Sequence, residues 1–244
     1  MELKLSIFIK PNWPAPENVH AVTTTRASLN LSHYVGDDRA KVLANRQRLQ
    51  EDLNLPSEPV WLNQQHSIEV IDLGQKPVNL SVDGVYTNKT NMVCAVLTAD
   101  CLPVLLCSED GKEIAAVHAG WRGLLNGVIA QGVQYFRGTP GEILAWLGPA
   151  IGPQAFEVGS EVHEAFVEQD PQAAQAFYPS KNAGRFMADI YQLAKLRLYQ
   201  LGINKIYGGD FCTYSDQDRF YSYRREGQTG RMASLIWCEK STPI

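Results

Sequence analysis

The middle of this chain is a series of short apolar runs with little between them, and that series limits the fold more than any other feature. Residues 60–62, 68–73, 92–98, 102–107, 113–118 and 143–147 are each of strand length rather than helix length. Strands and helices therefore do not alternate one for one, as a Rossmann-type parallel sheet would require. A mixed β-sheet with helices packed on it, an α+β fold, fits this order better. None of the runs approaches the roughly 20 apolar residues that a membrane span needs, so no bilayer is expected as a partner.

The remaining elements follow from local signals. Residues 19–25 are β-branched enough for a strand. Residues 38–53 read as a helix: Asp37 and Asp38 suit its positive end, Val42, Leu43, Leu49 and Leu53 can share a face, and Pro56 follows. Residues 120–136 read as one helix opened by Gly120, with Leu124, Val128, Gln131 and Tyr135 at helical spacing. Further helices are expected over 159–168 and 188–201, and strands over 206–207, 220–223 and 232–237. No internal repeat or low-complexity linker interrupts the 244 residues, so one domain spanning 1–244 is expected.

Charge and cysteine usage narrow the partners. The chain has 22 Lys and Arg against 26 Asp and Glu, a formal net charge of −4, and no basic run. Such a surface does not supply the phosphate neutralisation that nucleic-acid binding requires. Residues 1–10 carry only a brief apolar run and no small-residue cleavage site, unlike a signal peptide. Five cysteines, an odd number without a CxxC motif, read as reduced thiols and suit the cytoplasm.

Three turns carry chemistry. Thr98-Ala99-Asp100-Cys101-Leu102-Pro103 puts a thiol beside a carboxylate where one strand ends and the next begins. Val117-His118-Ala119-Gly120-Trp121-Arg122-Gly123 puts an imidazole at the end of a buried strand and a helix start after it; ligands bind outside such strand ends, and free N–H groups and Arg122 attract anions. Asn63-Gln64-Gln65-His66-Ser67 places a second imidazole between two strands. If the three turns converge, His66, Cys101 and His118 supply one sulfur and two nitrogens, a set that suits Zn²⁺ and leaves a fourth position for water or substrate. Taken singly, each has a plainer reading, a hydrogen-bonded surface histidine or a packed thiol. His20, His33 and His163 lack the glycine-turn context. Asp83, before Gly84, is either a turn-former or a site carboxylate. The run from Tyr221 to Arg231 gathers Arg224, Arg225 and Arg231, which either fork onto phosphate or carboxylate oxygens or sit in a solvated turn paired with Glu226.

Several of these motifs together resemble the YfiH/YlmD family, once labelled laccase-domain or multicopper polyphenol oxidase proteins and now regarded as zinc-dependent purine nucleoside enzymes. The resemblance runs nearly end to end. It rests on Thr24-Thr25-Arg26, Ser28-Leu29-Asn30-Leu31, Gly36-Asp37-Asp38, the stretch from Trp61 to His66, the Cys101 and His118 motifs, Leu147-Gly148-Pro149, Ile151-Gly152-Pro153, Phe156-Glu157-Val158-Gly159, Tyr223-Arg224-Arg225 and Thr229-Gly230-Arg231. It implies an α+β sandwich around a mixed sheet, distantly like the Cys-His catalytic domains of deamidating bacterial toxins. It implies that His66, Cys101 and His118 hold the catalytic zinc, with Arg26 and Asn30 near the substrate. It also implies phosphorolysis of adenosine, inosine, guanosine and methylthioadenosine, adenosine deamination and, in related bacterial proteins, removal of a misincorporated serine from a peptidoglycan precursor. Two departures stand out: relatives usually insert a Gly-rich loop where Arg26-Ala27-Ser28 are contiguous here, and Gln65 and Ser67 flank His66 in place of Val and Gly.

On this reading Gln64, Arg122, Arg224 and Arg225 join Arg26 and Asn30 as substrate-binding candidates, and Asp100 or Asp83 as proton carrier. The expected partners are a purine nucleoside and phosphate, on a monomer or homodimer. A multicopper centre would take on the order of two or three imidazoles per copper, and the chain has five histidines. Multicopper chemistry is therefore not expected, although one Cu²⁺ in the same three-ligand site would give weak phenol oxidation in vitro. The alternative enzyme class is a metal-free cysteine hydrolase or amidase with Cys101 as nucleophile and His118 as base.

Overall fold

The computed structural model describes residues 7–75 and 79–240; residues 1–6, part of the run compared above with a signal peptide, lie outside the described residues. From the N-terminal side come β1 (Phe8–Ile9), β2 (Val19–Thr24), α1 (Arg39–Asp52), β3 (Val70–Asp72), β4 (Gly84–Thr87), β5 (Val93–Thr98), β6 (Leu102–Ser108) and β7 (Ile114–Ala119). Then follow α2 (Trp121–Asn126), α3 (Val128–Val133), β8 (Ile143–Leu147), β9 (Glu157–Gly159), α4 (Ser160–Gln169), β10 (Phe177–Pro179), β11 (Arg185–Ala188), α5 (Ile190–Gln200), β12 (Lys205–Gly208), α6 (Tyr223–Glu226) and β13 (Met232–Cys238).

The strands make a six-stranded sheet in the order β12-β8-β6-β7-β4-β3, a four-stranded sheet β1-β2-β13-β5, and a small sheet β10-β11-β9. The larger sheet is mixed: β12 runs parallel to β8 and β3 to β4, whereas β6 pairs antiparallel with β7 and β8. This is the mixed sheet with packed helices that the short apolar segments predict, in the α+β sandwich that the family resemblance implies.

The apolar runs are unbroken because their strands are covered on both faces. Alternate residues of β6 part company: Val104 and Leu106 join the core under α2, α3 and α5, while Leu105 and Cys107 face the second sheet. Strand β5 divides in the same way, Cys94 and Val96 inward between the sheets, Val93, Ala95 and Leu97 outward toward Leu49 of α1. The result is four layers, helices, sheet, sheet and α1. Each fully buried aliphatic side chain contributes roughly 1.5–3 kcal/mol by leaving water.

Three expectations need correction. Residues 60–62 do not form a strand; Val60 makes one isolated parallel bridge to Cys94. The expected helix over 120–136 breaks at Gly127, whose φ of +97° caps α2 with a bond from its N–H to Gly123 O. A left-handed glycine ends a helix whatever the spacing of the apolar residues beyond it. Residues 220–223 are not a strand either, since Ser222 Oγ accepts from Arg225 N and caps the short α6. Among the described residues no helix is long and apolar enough to cross a membrane.

Candidate metal centre

The chain passes from one sheet to the other at residues 99–101, between β5 and β6. That corner is sharp. Asp100 takes a φ of +90°, uncommon for a residue with a side chain. Its carboxylate holds the corner shut: Oδ1 accepts from Thr213 Oγ1 at 2.6 Å, and Oδ2 from Ser222 Oγ at 3.1 Å and Arg224 N at 2.6 Å. Cys101 follows directly. Because β6 and β7 pair with Pro103 opposite His118, the Cys101 thiol and the His118 ring arrive at the same end of the sheet.

Register also explains Asp83. Strand β4 pairs antiparallel with β7, Gly84 opposite Val117, so Asp83 stands opposite His118 and its Oδ1 meets His118 Nδ1 at 2.8 Å. The same carboxylate gathers the turn that carries the other histidine. His66 N donates to Oδ1 at 3.0 Å, while Gln65 N, Ser67 N and Ser67 Oγ reach Oδ2 at 3.1, 2.6 and 2.7 Å. Five donors thus hold a fully buried carboxylate. Burial pushes its pKa up, but the bonds from His118 and Ser67 outweigh that and hold it well below the usual carboxylate range. His66 itself sits at φ +58°, a strained turn that this network maintains.

The ligand atoms of His66, Cys101 and His118 lie within 4.8 Å of one another. Cys101 Sγ and His66 Nε2 are 3.7 Å apart. Zinc bonds of about 2.3 Å to sulfur and 2.0 Å to nitrogen at a tetrahedral angle put S and N about 3.5 Å apart, so the spacing fits one ion. With Nδ1 on Asp83, His118 keeps Nε2 for an ion, the carboxylate–imidazole–metal arrangement that orients a ligand. Burial alone would raise the Cys101 thiol; His118 and His66 outweigh it and bring it down toward the thiolate that binds metal. Gly120 makes the room: a Cβ there would come within 2.8 Å of His66 Cδ2 and 3.2 Å of Cys101 Sγ. The other histidines are elsewhere, His20 stacked on Trp237 and His163 on Phe186, while His33 carries a buried Nδ1 without a hydrogen-bond partner among the described residues.

The three ligands open on a cavity of about 540 Å³ whose walls include Gln64, Leu97, Thr98, Arg122, Ile151, Phe156, Tyr223, Arg224 and Arg231. Gln64 is braced against β5, donating to Leu97 O at 2.8 Å and accepting from Leu97 N at 2.7 Å. Three of the predicted substrate residues stand outside this lining. Arg26 binds Gln217 O and Glu226, Arg225 binds Thr213 O, Tyr214 O, Phe220 O and Glu226, and buried Asn30 ties Ser32, Asp37 and Arg231 N together. The exposed Tyr34 and Tyr223 line the cavity without having been singled out as contacts, and Arg231 lines it as one of the three arginines that the sequence offers as a fork for oxyanions.

The family model described as multi-copper polyphenol oxidoreductase laccase matches residues 19–239. The chain belongs to that family. Within this laccase-domain family it is 50% identical to a Haemophilus influenzae protein named purine nucleoside phosphorylase, over 95% of this chain and 99% of that protein. It is also 50% identical to the Escherichia coli purine nucleoside phosphorylase YfiH, over 96% and 99% respectively. Among solved laccase-domain folds, the Neisseria meningitidis protein NMB0706 superposes with a TM-score of 0.90 at 44% identity, covering 96% of this chain and all of that one. YlmD from Geobacillus stearothermophilus gives 0.88 at 27% identity, covering 98% of both.

Proposed function

We propose that this chain is a zinc-dependent purine nucleoside phosphorylase of the cytoplasm, acting on adenosine, inosine, guanosine and methylthioadenosine, with adenosine deaminase activity, and that it works as one domain. The observation that carries this reading is the meeting of His66, Cys101 and His118 on one cavity, and the names of the relatives at 50% identity support it. In phosphorolysis a phosphate oxygen bonds to the ribose C1′ as the bond from C1′ to the purine breaks. The electron pair leaves with the base, which takes up a proton, and ribose 1-phosphate remains. In deamination water adds at the purine C6 and ammonia leaves.

A zinc ion on these three ligands would supply a Lewis acid for developing negative charge or for an activated water. The chain's own residues do the rest. Asp83, with both oxygens occupied, acts as a positioning residue that holds His66 and His118. Asp100 shapes the cavity floor and orients Arg224 through its backbone N–H. Arg122 and Arg224 carry positive charge to the cavity wall. Helix α2, six residues long, adds little dipole of its own.

A second reading is favoured by one observation: Asp83, His118 and Cys101 stand in the order of a Cys–His–Asp hydrolase. The discriminating experiment is metal analysis of the purified protein, then incubation with adenosine with and without phosphate. Phosphate-dependent release of ribose 1-phosphate, lost on chelation and in Cys101→Ala, is expected. Turnover that survives chelation and is stopped by a thiol alkylator would replace the zinc reading with the hydrolase.

A further inference from the structure

The charges around the cavity do not balance. Arg219 pairs with Asp216, and Arg26 and Arg225 share Glu226, so those arginines are committed to the scaffold. Arg122, Arg224 and Arg231 line the cavity, and among the described residues none has a carboxylate partner. The negative groups nearby are engaged elsewhere: Asp100 accepts from Thr213, Ser222 and Arg224 N and reaches Arg231 only through space, as does the Cys101 thiol, and Asp83 lies fully buried on the histidine network.

Arg231 is the most constrained of the three. Its side chain is half-buried. Nη1 donates to Thr229 O at 2.8 Å and Gly230 O at 3.1 Å, and its backbone N–H is fixed by Asn30 Oδ1 at 3.0 Å. One edge of the guanidinium is therefore held by the chain, whereas Nε and Nη2 meet no acceptor among the described residues. Arg122 stacks over Trp121 at 4.4 Å, and Arg224 is anchored through Nη1 to Ala155 O and Glu157 O. A partly desolvated cation whose remaining donors meet no acceptor is costly. The cost is offset when an oxyanion with several oxygens fills the donors that remain.

We propose that Arg231, with Arg122 and Arg224 on the wall of the same cavity, forms the subsite that holds inorganic phosphate near the His66, Cys101 and His118 cluster. The choice of phosphate rests on the phosphorylase reading above; the presence of an oxyanion subsite rests on the charges alone. A tetrahedral dianion has more oxygens and more charge to share among three arginines than a carboxylate, such as the Glu226 that serves two here. A cavity of about 540 Å³ lies within the roughly 300–1,000 Å³ range of small-molecule sites, room for a nucleoside and a phosphate side by side.

The test is calorimetric titration of the metal-loaded full-length protein with inorganic phosphate, with adenosine and with adenosine monophosphate. Phosphate is expected to bind the wild type, at least tenfold more weakly to Arg231→Gln, with adenosine affinity changed less than twofold. Arg231→Lys, which keeps the charge and loses the fork, should fall between and serves if the glutamine variant does not fold. In turnover, the KM for phosphate should rise at least tenfold and the KM for adenosine stay within twofold. The proposal is overturned if the wild type does not bind free phosphate, if Arg231→Gln or Arg231→Lys binds it like the wild type, or if adenosine monophosphate alone depends on Arg231. Phosphate binding that needs Arg231 in a wild type that releases no ribose 1-phosphate would sink the phosphorylase reading and leave the subsite in place.

Discussion

One carboxylate organises the centre. Asp83 accepts from His118 of β7 and from three residues of the turn that presents His66, so neither imidazole is placed by its own rotamer preference alone. In Asp83→Asn an N–H₂ group would face donors where an oxygen now accepts. The expected result is a stability loss of about 1–3 kcal/mol together with a metal affinity reduced roughly 10–100-fold. Competition titration against a chelator measures the second effect; an unchanged affinity would mean that the ligands hold themselves. Gly120 makes a complementary case. Its φ of −62° suits any residue, so Gly120→Ala should leave the backbone content. The added methyl would collide with His66 and Cys101. Turnover is expected to fall on the order of 10²-fold with the urea midpoint nearly unchanged, a split that separates a displaced ligand from a damaged fold.

At the scale of elements, α1 shows how a local signal becomes tertiary structure. Asp38 Oδ1 accepts from Ala40 N at 2.7 Å and Lys41 N at 3.1 Å, which starts the helix where the acidic pair predicts. Buried Arg46 of that helix then donates to Leu31 O and stacks on Trp61 at 4.2 Å, so α1 is fastened by polar contacts to two loops that pack on the second sheet as well as to the sheet itself through Leu49. Asp38→Ala is expected to cost about 1 kcal/mol in urea unfolding without altering metal content; a loss of metal would show that α1 reaches the centre. The broken helix at Gly127 and the short α6 were harder to foresee. Both depend on one capping residue, Gly127 or Ser222, whose effect outweighs the periodicity around it.

The candidate metal ligands lie where the two sheets meet, since Cys101 stands on the corner between β5 and β6 and His118 is near the end of β7. An ion that binds only the folded chain stabilises it by mass action, about 2.7 kcal/mol at a hundred times its Kd. For a protein of this size that corresponds to a Tm higher by roughly 5–10 °C. Scanning calorimetry before and after chelation checks this, and an unmoved Tm would show that the ligands do not share an ion in the native state. The strands of this architecture were legible in the sequence because a strand buried on both faces is apolar almost throughout, as β5, β6 and β7 are apart from Thr98, Ser108 and His118 at or near their ends. The donor residues were legible too, since thiol and imidazole chemistry belongs to the residue itself. Which arginines remained free was not legible. Arg26 is neutralised by Glu226, and Arg231 is steadied by Asn30, partners about 200 positions away in the chain. Local sequence decides what a segment can become, through dihedral preference and side-chain chemistry. Only the folded chain decides which charges meet, because ion pairs and shared ligands depend on distances that no nearby stretch of sequence contains.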